Sequence, residues 1–421
     1  MRNRLLGVLA CLSLVSCAFA LDGNITFDQT GSVSQMVSRL KAANPGAEII
    51  PLPQVQAAAS KEWTVMVYVN AKNNLEEYGL KDVNEMEMVG SDANVNVVAE
   101  LGRIAGYSTA DGDWKSTRRY LVQKDANLSA ITSPVVMEIA KTDMGDWNHL
   151  VEFTKWAMSN YPARHYALVV WNHGSGWNKD VTFESEKGIS YDDESRNHIT
   201  TPQLRQAMEQ IGKIDILSMD ACLMQMVEVG YEVKNYAEYI VASEETEPGD
   251  GYTYNTWLGP LAAKPGMSSA ELSIAMVNSY GDHYQSVNQG ATQSAIKTAA
   301  LDKFTVLIND WAAEVMKAGE LANAKSARSK AQAFYYASNK DVYHFVKLVD
   351  DAAASQAVVA KGKTLLGFIK SDVVISNRAI GAKYANATGL AIYIPTAYTA
   401  SYDVLKWAAD SNWDDFIKWM K

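Results

Sequence analysis

The sequence is short of cysteine, with three in 421 residues. Two of these, Cys11 and Cys17, fall inside an N-terminal segment that reads as an export signal. Processing therefore leaves Cys222 as the single thiol, which excludes a disulfide framework and puts stability on core packing. Apolar runs long enough to span a bilayer are also missing. The stretch from Leu5 to Val15 is too short for a stable anchor, so the mature chain is expected to be soluble. Basic charge is in deficit: 38 Lys and Arg stand against 48 Asp and Glu, a net charge of −10. Losing Arg2 and Arg4 with the signal makes the remainder more acidic. That balance argues against nucleic-acid binding and favours solubility or attraction to basic partners. It is compatible with a monomer, which is the expected state.

No cofactor is expected. Asp192-Asp193-Glu194 and Glu244-Glu245-Glu247-Asp250 could bind calcium, but neither has the ordered alternating-oxygen loop of an EF-hand, and both read as solvated acidic turns. His149, His165, His198, His283 and His344 show no metal-ligand spacing.

The first 20 residues read as targeting. Two cleavage patterns compete, Ala18-Phe19-Ala20 for ordinary signal cleavage and Leu14-Val15-Ser16-Cys17 for a lipobox that would leave Cys17 lipidated. Either way the product is exported, whether secreted, periplasmic or lipid-anchored. Residues 21–60 read as a leader with Pro51, Pro53 and an Ala-rich end. Residues 61–260 then alternate strands and helices. Strand patterns cover Trp63–Val69, Val95–Leu101, Tyr166–Trp171, Ile214–Asp220 and Ile240–Ser243. Helix patterns start at Leu75, after Asp146, and at Thr201-Pro202. Arg119–Val122 fits a hairpin. This alternation predicts an α/β fold with a mostly parallel sheet flanked by helices. From 261 to 421 the pattern becomes helix-rich, with a late strand at Gly389–Pro395 and a terminal helix from Trp413. That segment is expected to form a C-terminal domain, with the option of adding a strand to the main sheet.

The chemistry collects at two strand ends. His173 follows the run Tyr166–Trp171, and Cys222 follows Ile214–Asp220. In parallel sheets functional groups gather beyond the carboxyl ends of the strands. The Thr201 helix is the crossover between these two strands, and right-handed crossovers favour their being neighbours. A thiol nucleophile with an imidazole acid and base is the equipment of a cysteine peptidase. Gly174 next to the histidine lets a backbone N–H approach a substrate oxygen. Taken singly, a free Cys is more often a small buried apolar residue and a lone His a satisfied polar group; their joint placement is what points to catalysis. Ser175 lacks the frame of a nucleophile elbow, which leaves a serine hydrolase a distant alternative.

Trp171-Asn172-His173-Gly174-Ser175-Gly176-Trp177 and Met219-Asp220-Ala221-Cys222-Leu223-Met224 resemble the His and Cys blocks of clostripain-type peptidases, in the caspase-like clan. Trp63–Glu76 and Ala242–Gly251 support the resemblance, which covers most of residues 61–260. It implies a caspase-like fold, a His173/Cys222 dyad, an oxyanion site from the N–H groups of Gly174 and Cys222, and cleavage after Arg or Lys. A carboxylate near a thiolate raises the thiol's pKa unless a cation offsets it. A substrate Arg or Lys paired with Asp220 would supply that cation. Asp250, by its match to the family's Glu-Pro-Gly-Asp-Gly segment, is the second expected pocket wall. The family commonly matures by cutting a loop between the His and Cys strands. Lys179, Lys187 and Arg196 lie in that stretch, and Lys187-Gly188 is the preferred site. The alternative function is a catalytically silent surface-binding protein on the same scaffold.

Overall fold

The computed structural model describes residues 60–177 and 188–421. The signal and leader segments, Lys179 and Lys187 lie outside the described residues. Runs rich in β-branched and aromatic residues, which suit a pleated, buried surface, form most of the strands. In chain order these are β1 (Lys61–Ala71), β2 (Val95–Arg103), β3 (Thr117–Leu121), β4 (Val135–Ile139), β5 (Ala163–Trp171), β6 (Gly188–Asp192) and β7 (Asn197–Thr200). They continue with β8 (Ile214–Asp220), β9 (Ala237–Ala242), β10 (Ala291–Lys297), β11 (Asn339–Asp341), β12 (Val374–Ile380) and β13 (Ala391–Tyr393). Nine of them make one sheet in the order β12-β10-β9-β8-β5-β1-β2-β3-β4. Its centre, β9-β8-β5-β1-β2, is parallel throughout. Its two margins are antiparallel.

Helices fill the crossovers: α1 (Glu76–Glu87) after β1, α2 (Trp147–Asn160) before β5, and α3 (Thr201–Ile211) before β8. Asp146 caps α2 by accepting from the Asn148 N–H. α3 opens at Thr201, as the Thr-Pro signal indicates. Thr200 is its N-cap, in a reciprocal capping box with Gln203, and Pro202 occupies the first turn, where its missing N–H costs nothing.

Alternation along each strand feeds a separate core on each face. Val65, Val67 and Val69 of β1 join Val169 of β5 and Leu80 and Val83 of α1 on one side. Met66 and Tyr68 join Leu168, Val170, Leu204 and Met219 on the other. Each fully buried side chain of this size is worth about 1.5–3 kcal/mol, so every central strand is held from both faces.

The segment beyond 260 is where structure and expectation part. β10 joins the main sheet antiparallel to β9, and β12 takes the edge beyond it, antiparallel to β10. Their polar composition, as in Thr292-Gln293-Ser294, hid them from periodicity. The anticipated late strand instead pairs β13 with β11 in a two-stranded sheet of its own. The second core runs from Trp177 and Met226 through Tyr393, Trp407, Trp413 and Phe416. Residues 60–421 accordingly form one compact unit, and the helix-rich half is not set apart from the strand-rich half. Among the described residues no helix is long and apolar enough to cross a membrane.

Candidate active site

β5 and β8 lie side by side and parallel, with Val169 opposite Ser218 and Trp171 opposite Asp220. The Asn172 N–H extends this ladder to the Asp220 carbonyl at 3.2 Å. His173 and Cys222 each follow two residues past that last paired position, so both leave the same rim of the sheet. Gly174 fits tightly beside the thiol-bearing turn. A Cβ on it would lie 2.5 Å from the Cys222 carbonyl oxygen and 2.9 Å from the Ala221 Cβ. Any side chain there would force the two blocks apart. After Cys222 the chain turns sharply through Leu223, a buried residue at φ 65°. A non-glycine in this left-handed region is strained. Leu223 N–H to the Glu245 carbonyl (3.0 Å) and Gln225 N–H to the Ser243 carbonyl (2.9 Å) hold the turn against the loop after β9.

His173 is half-buried, and its Nε2 lies 2.7 Å from Asn74 Oδ1. With Nε2 donating, Nδ1 becomes the basic nitrogen. Burial lowers the imidazole's pKa, against a smaller upward pull from Asp193. Asn74 sits on the loop between β1 and α1, and asparagine side chains tie the end of β1 to the segment after β5 and the loop itself to β6. Asn172 donates to the Asn70 carbonyl and accepts from the Tyr191 N–H at 2.7 Å. Asn73 donates to the Tyr191 carbonyl at 2.8 Å and accepts from the Leu75 N–H at 2.9 Å.

Cys222 is half-buried and unpaired. The Glu247 N–H donates to its Sγ at 3.2 Å. Burial pushes the thiol pKa up, the Glu247 N–H counters this in part, and the negative charges of Asp220 and Glu245 add to the rise. A lowered imidazole and a raised thiol make a neutral pair, not a thiolate–imidazolium pair, the resting state.

Asp220 is 4% exposed. It accepts from Tyr254 OH (2.8 Å) and from the Tyr252 N–H (3.3 Å). The Glu247 carboxyl lies beside it. Burial raises Asp220 to about 6 even with these partners. β8 ends at Asp220, so Cys222 lies beyond the strand, and its sulfur is met by the Glu247 N–H from the loop after β9. Asp82 of α1 lies behind them, buried, with Oδ2 accepting from Trp171 Nε1–H at 2.7 Å. Burial and the charges of Asp220 and Glu85 push it well above the usual carboxylate range.

Asp250 is placed differently from Asp220. Its carboxylate is taken by Lys81 (3.1 Å) and His283 (3.2 Å), and the Lys81 hydrogen bond lowers its pKa. Gly188 opens β6, buried, where a Cβ would meet the Ile199 carbonyl oxygen at 2.1 Å. Arg196 is exposed at a turn with φ 56°. The Asp192 carboxylate accepts from the N–H groups of Met144, Glu194 and Ser195, so its oxygens are committed to backbone.

Three site residues escaped the sequence reading. Asn74 follows the first strand at the same rim as His173, a position that could have flagged it. Glu247 lies in the acidic segment that drew attention to Asp250. Asp82 reads as one polar residue on an amphipathic helix, and nothing local marks it.

A family model described as the clostripain family matches residues 67–419. Clostripain of Hathewaya histolytica is 27% identical over 248 residues, covering 52% of this chain and 47% of the relative. The chain thus spans about half the length of that curated relative. The fold is similar to that of a secreted C11 cysteine protease from Bacteroides thetaiotaomicron solved with an irreversible peptide inhibitor. The TM-score is 0.61 at 19% identity, covering 84% of this chain and 99% of that one. It is also similar to an inactive zymogen C11 protease from Parabacteroides distasonis, with TM-score 0.58 at 18% identity, covering 86% and 99%.

Proposed function

This chain belongs to the clostripain family, and from that premise we propose that it is an exported cysteine endopeptidase cleaving after Arg or Lys. Cys222 is the nucleophile in this reading, and His173 its base and acid. The thiol proton passes to the imidazole as sulfur bonds to the scissile carbonyl carbon. His173 then gives that proton to the leaving amine, and water resolves the acyl-enzyme. The N–H groups of Gly174 and Cys222 are the oxyanion donors. Asn74 keeps Nε2 occupied, so that Nδ1 does the proton transfer. One observation carries the reading: Gly174 packs directly against the Cys222 backbone, which brings the histidine and cysteine blocks to one rim.

The preference for a basic residue is supported by the acids around Asp220. A bound guanidinium or ammonium would neutralise the charge that now raises the thiol. Asp250 stands in this pocket only by exchanging Lys81 or His283 for the substrate cation. Maturation is read as a cut at Lys187-Gly188, where Gly188 enters β6 and the product chains remain joined through one sheet. Export follows from the N-terminal signal.

The test uses wild-type protein and Cys222→Ala with peptide substrates bearing Arg, Lys, norleucine or Glu before the scissile bond, and an arginyl acyloxymethylketone as label. Cleavage of the first two alone, labelling lost with Cys222, and an uncut chain in Cys222→Ala are expected. Equal hydrolysis of the norleucine peptide, or labelling independent of Cys222, would remove the reading.

A further inference from the structure

Residues 243–247 run alongside the thiol-bearing turn, with the Glu245 carbonyl on the Leu223 N–H and the Glu247 N–H on the Cys222 sulfur. The Glu245 carboxylate, 1% exposed, gathers donors from two distant segments as well as its own. Oε1 accepts from the N–H groups of Tyr335 at 2.8 Å and Thr246 at 2.9 Å, and Oε2 accepts from Lys383 Nζ at 3.3 Å. Lys383 also donates to Tyr384 OH at 3.1 Å. Tyr335 stands on the loop between helix Leu321–Lys330 and β11. Its neighbour Phe334 is buried in the same core as Leu223 and Met224, and the Phe334 N–H donates to the Asn339 carbonyl at 3.2 Å. Tyr335 itself is 67% exposed, the most exposed aromatic side chain among the described residues. Its ring meets Tyr336 edge to face, with centroids 5.0 Å apart. A fixed backbone and an open ring make a preorganised apolar contact surface, two hydrogen bonds from the turn that carries the nucleophile.

Sheet order and proton delivery decide which part of a substrate lies there. In the order β9-β8-β5 the thiol follows the middle strand, with His173 beyond β5 on one side and residues 243–247 beyond β9 on the other. The leaving amine must face the imidazole that protonates it, so the acyl half of the substrate lies along residues 243–247. Side chains of an extended peptide alternate between two sides. Asp220 is bonded to Tyr252 and Tyr254, which belong to the core on one face of the sheet. Leu223, Phe334 and Tyr384 belong to the core on the other face. A basic side chain directed to Asp220 therefore sends the side chain before it toward Tyr335. Resting on the peptidase reading above, we propose that Tyr335 is a specificity-determining residue whose ring receives an apolar or aromatic side chain on the residue immediately before the scissile Arg or Lys. Glu245 is the positioning residue that holds this ring beside the thiol turn, and Lys383 completes the clamp at its second oxygen.

The test measures kcat/KM on Arg peptides carrying Phe, Leu or Gly immediately before the Arg. Two further sets carry the same three residues one position earlier, or directly after the scissile bond. In wild type, Phe immediately before the Arg should be preferred over Gly by roughly 3–10-fold, the size of one aromatic contact, with Leu between them. Tyr335→Ala should bring that ratio close to one, and Tyr335→Phe, which keeps the ring, should retain it. Both change an exposed side chain, so folding does not decide the outcome. The ratios at the other two positions should be the same in all three proteins. Glu245→Ala, which releases the Tyr335 N–H and Lys383, should also lower the ratio, and adding Tyr335→Ala should lower it no further. A wild-type ratio near one, or a ratio that persists in Tyr335→Ala, overturns this inference while Cys222-dependent cleavage spares the peptidase reading. A loss in Tyr335→Ala spread evenly over all three positions overturns it too. Failure of processed wild type to hydrolyse any Arg peptide, or hydrolysis undiminished in Cys222→Ala, removes the peptidase reading and this inference with it.

Discussion

The backbone N–H of Glu247 donates to the Sγ of Cys222 across 3.2 Å, while the carboxyl of the same residue lies beside that of Asp220. A single residue of the loop after β9 thus meets the thiol and adds its charge to the acids around it. Burial and nearby negative charge outweigh that N–H, and the free thiol stays protonated at neutral pH.

Alkylation of Cys222 by iodoacetamide in the absence of substrate should therefore be slow below the ordinary thiol range near 8.5 and accelerate above it. Asp220→Asn should speed the reaction several-fold at pH 7, since one of the charges raising the thiol is gone. Fast alkylation that is level down to pH 5 would show a thiolate–imidazolium pair instead.

Asn74 positions His173 through its 2.7 Å contact with Nε2. Asn74→Ala should cut kcat by roughly 10–100-fold with KM nearly unchanged, as expected for loss of orientation of a general base. Asn74→Asp should restore much of kcat and move the acid limb of the pH–rate profile upward, because a carboxylate favours the imidazolium. An acid limb that stays put in Asn74→Asp would reduce Asn74 to a loop residue.

The buried Asp220 makes the folded state bind a proton that the unfolded chain has already lost. With about 6 in the folded protein against roughly 3.9 unfolded, its contribution to stability declines as pH rises from 4 to 6 and is fully unfavourable above. The size is on the order of 3 kcal/mol. Asp220→Asn should match wild type in thermal midpoint near pH 4 and exceed it at pH 7. A gap of equal size at both pH values would rule out ionisation as the cause.

A chain ending at residue 260 should not fold cooperatively. β9 would lose its partner β10, exposing a bare strand edge. The core around Trp177 and Met226 would lose Tyr393, Trp413 and Phe416. A sharp, reversible melting transition in that fragment would establish a self-sufficient strand-rich half.

Much of this protein could be read from local pattern. Apolar runs bounded by turns gave the central parallel strands, and the Thr-Pro and Asp146 signals gave two helix starts, because these features depend on neighbours along the chain. His173, Gly174 and Cys222 were singled out the same way, each lying just past a strand whose end could be counted. Tertiary structure alone decided which residue of the acidic loop meets the thiol. Glu247 and Asp250 are three residues apart on one loop, yet the first meets the Cys222 sulfur through its N–H while Lys81 and His283 tie up the second. Asn74 and the polar strands β10 and β12 follow the same logic. Their roles come from partners about 100 residues away for Asn74, and from cross-strand pairing for the two strands. Such contacts are set by how loops and sheet margins close on a finished core, which one-dimensional periodicity does not encode.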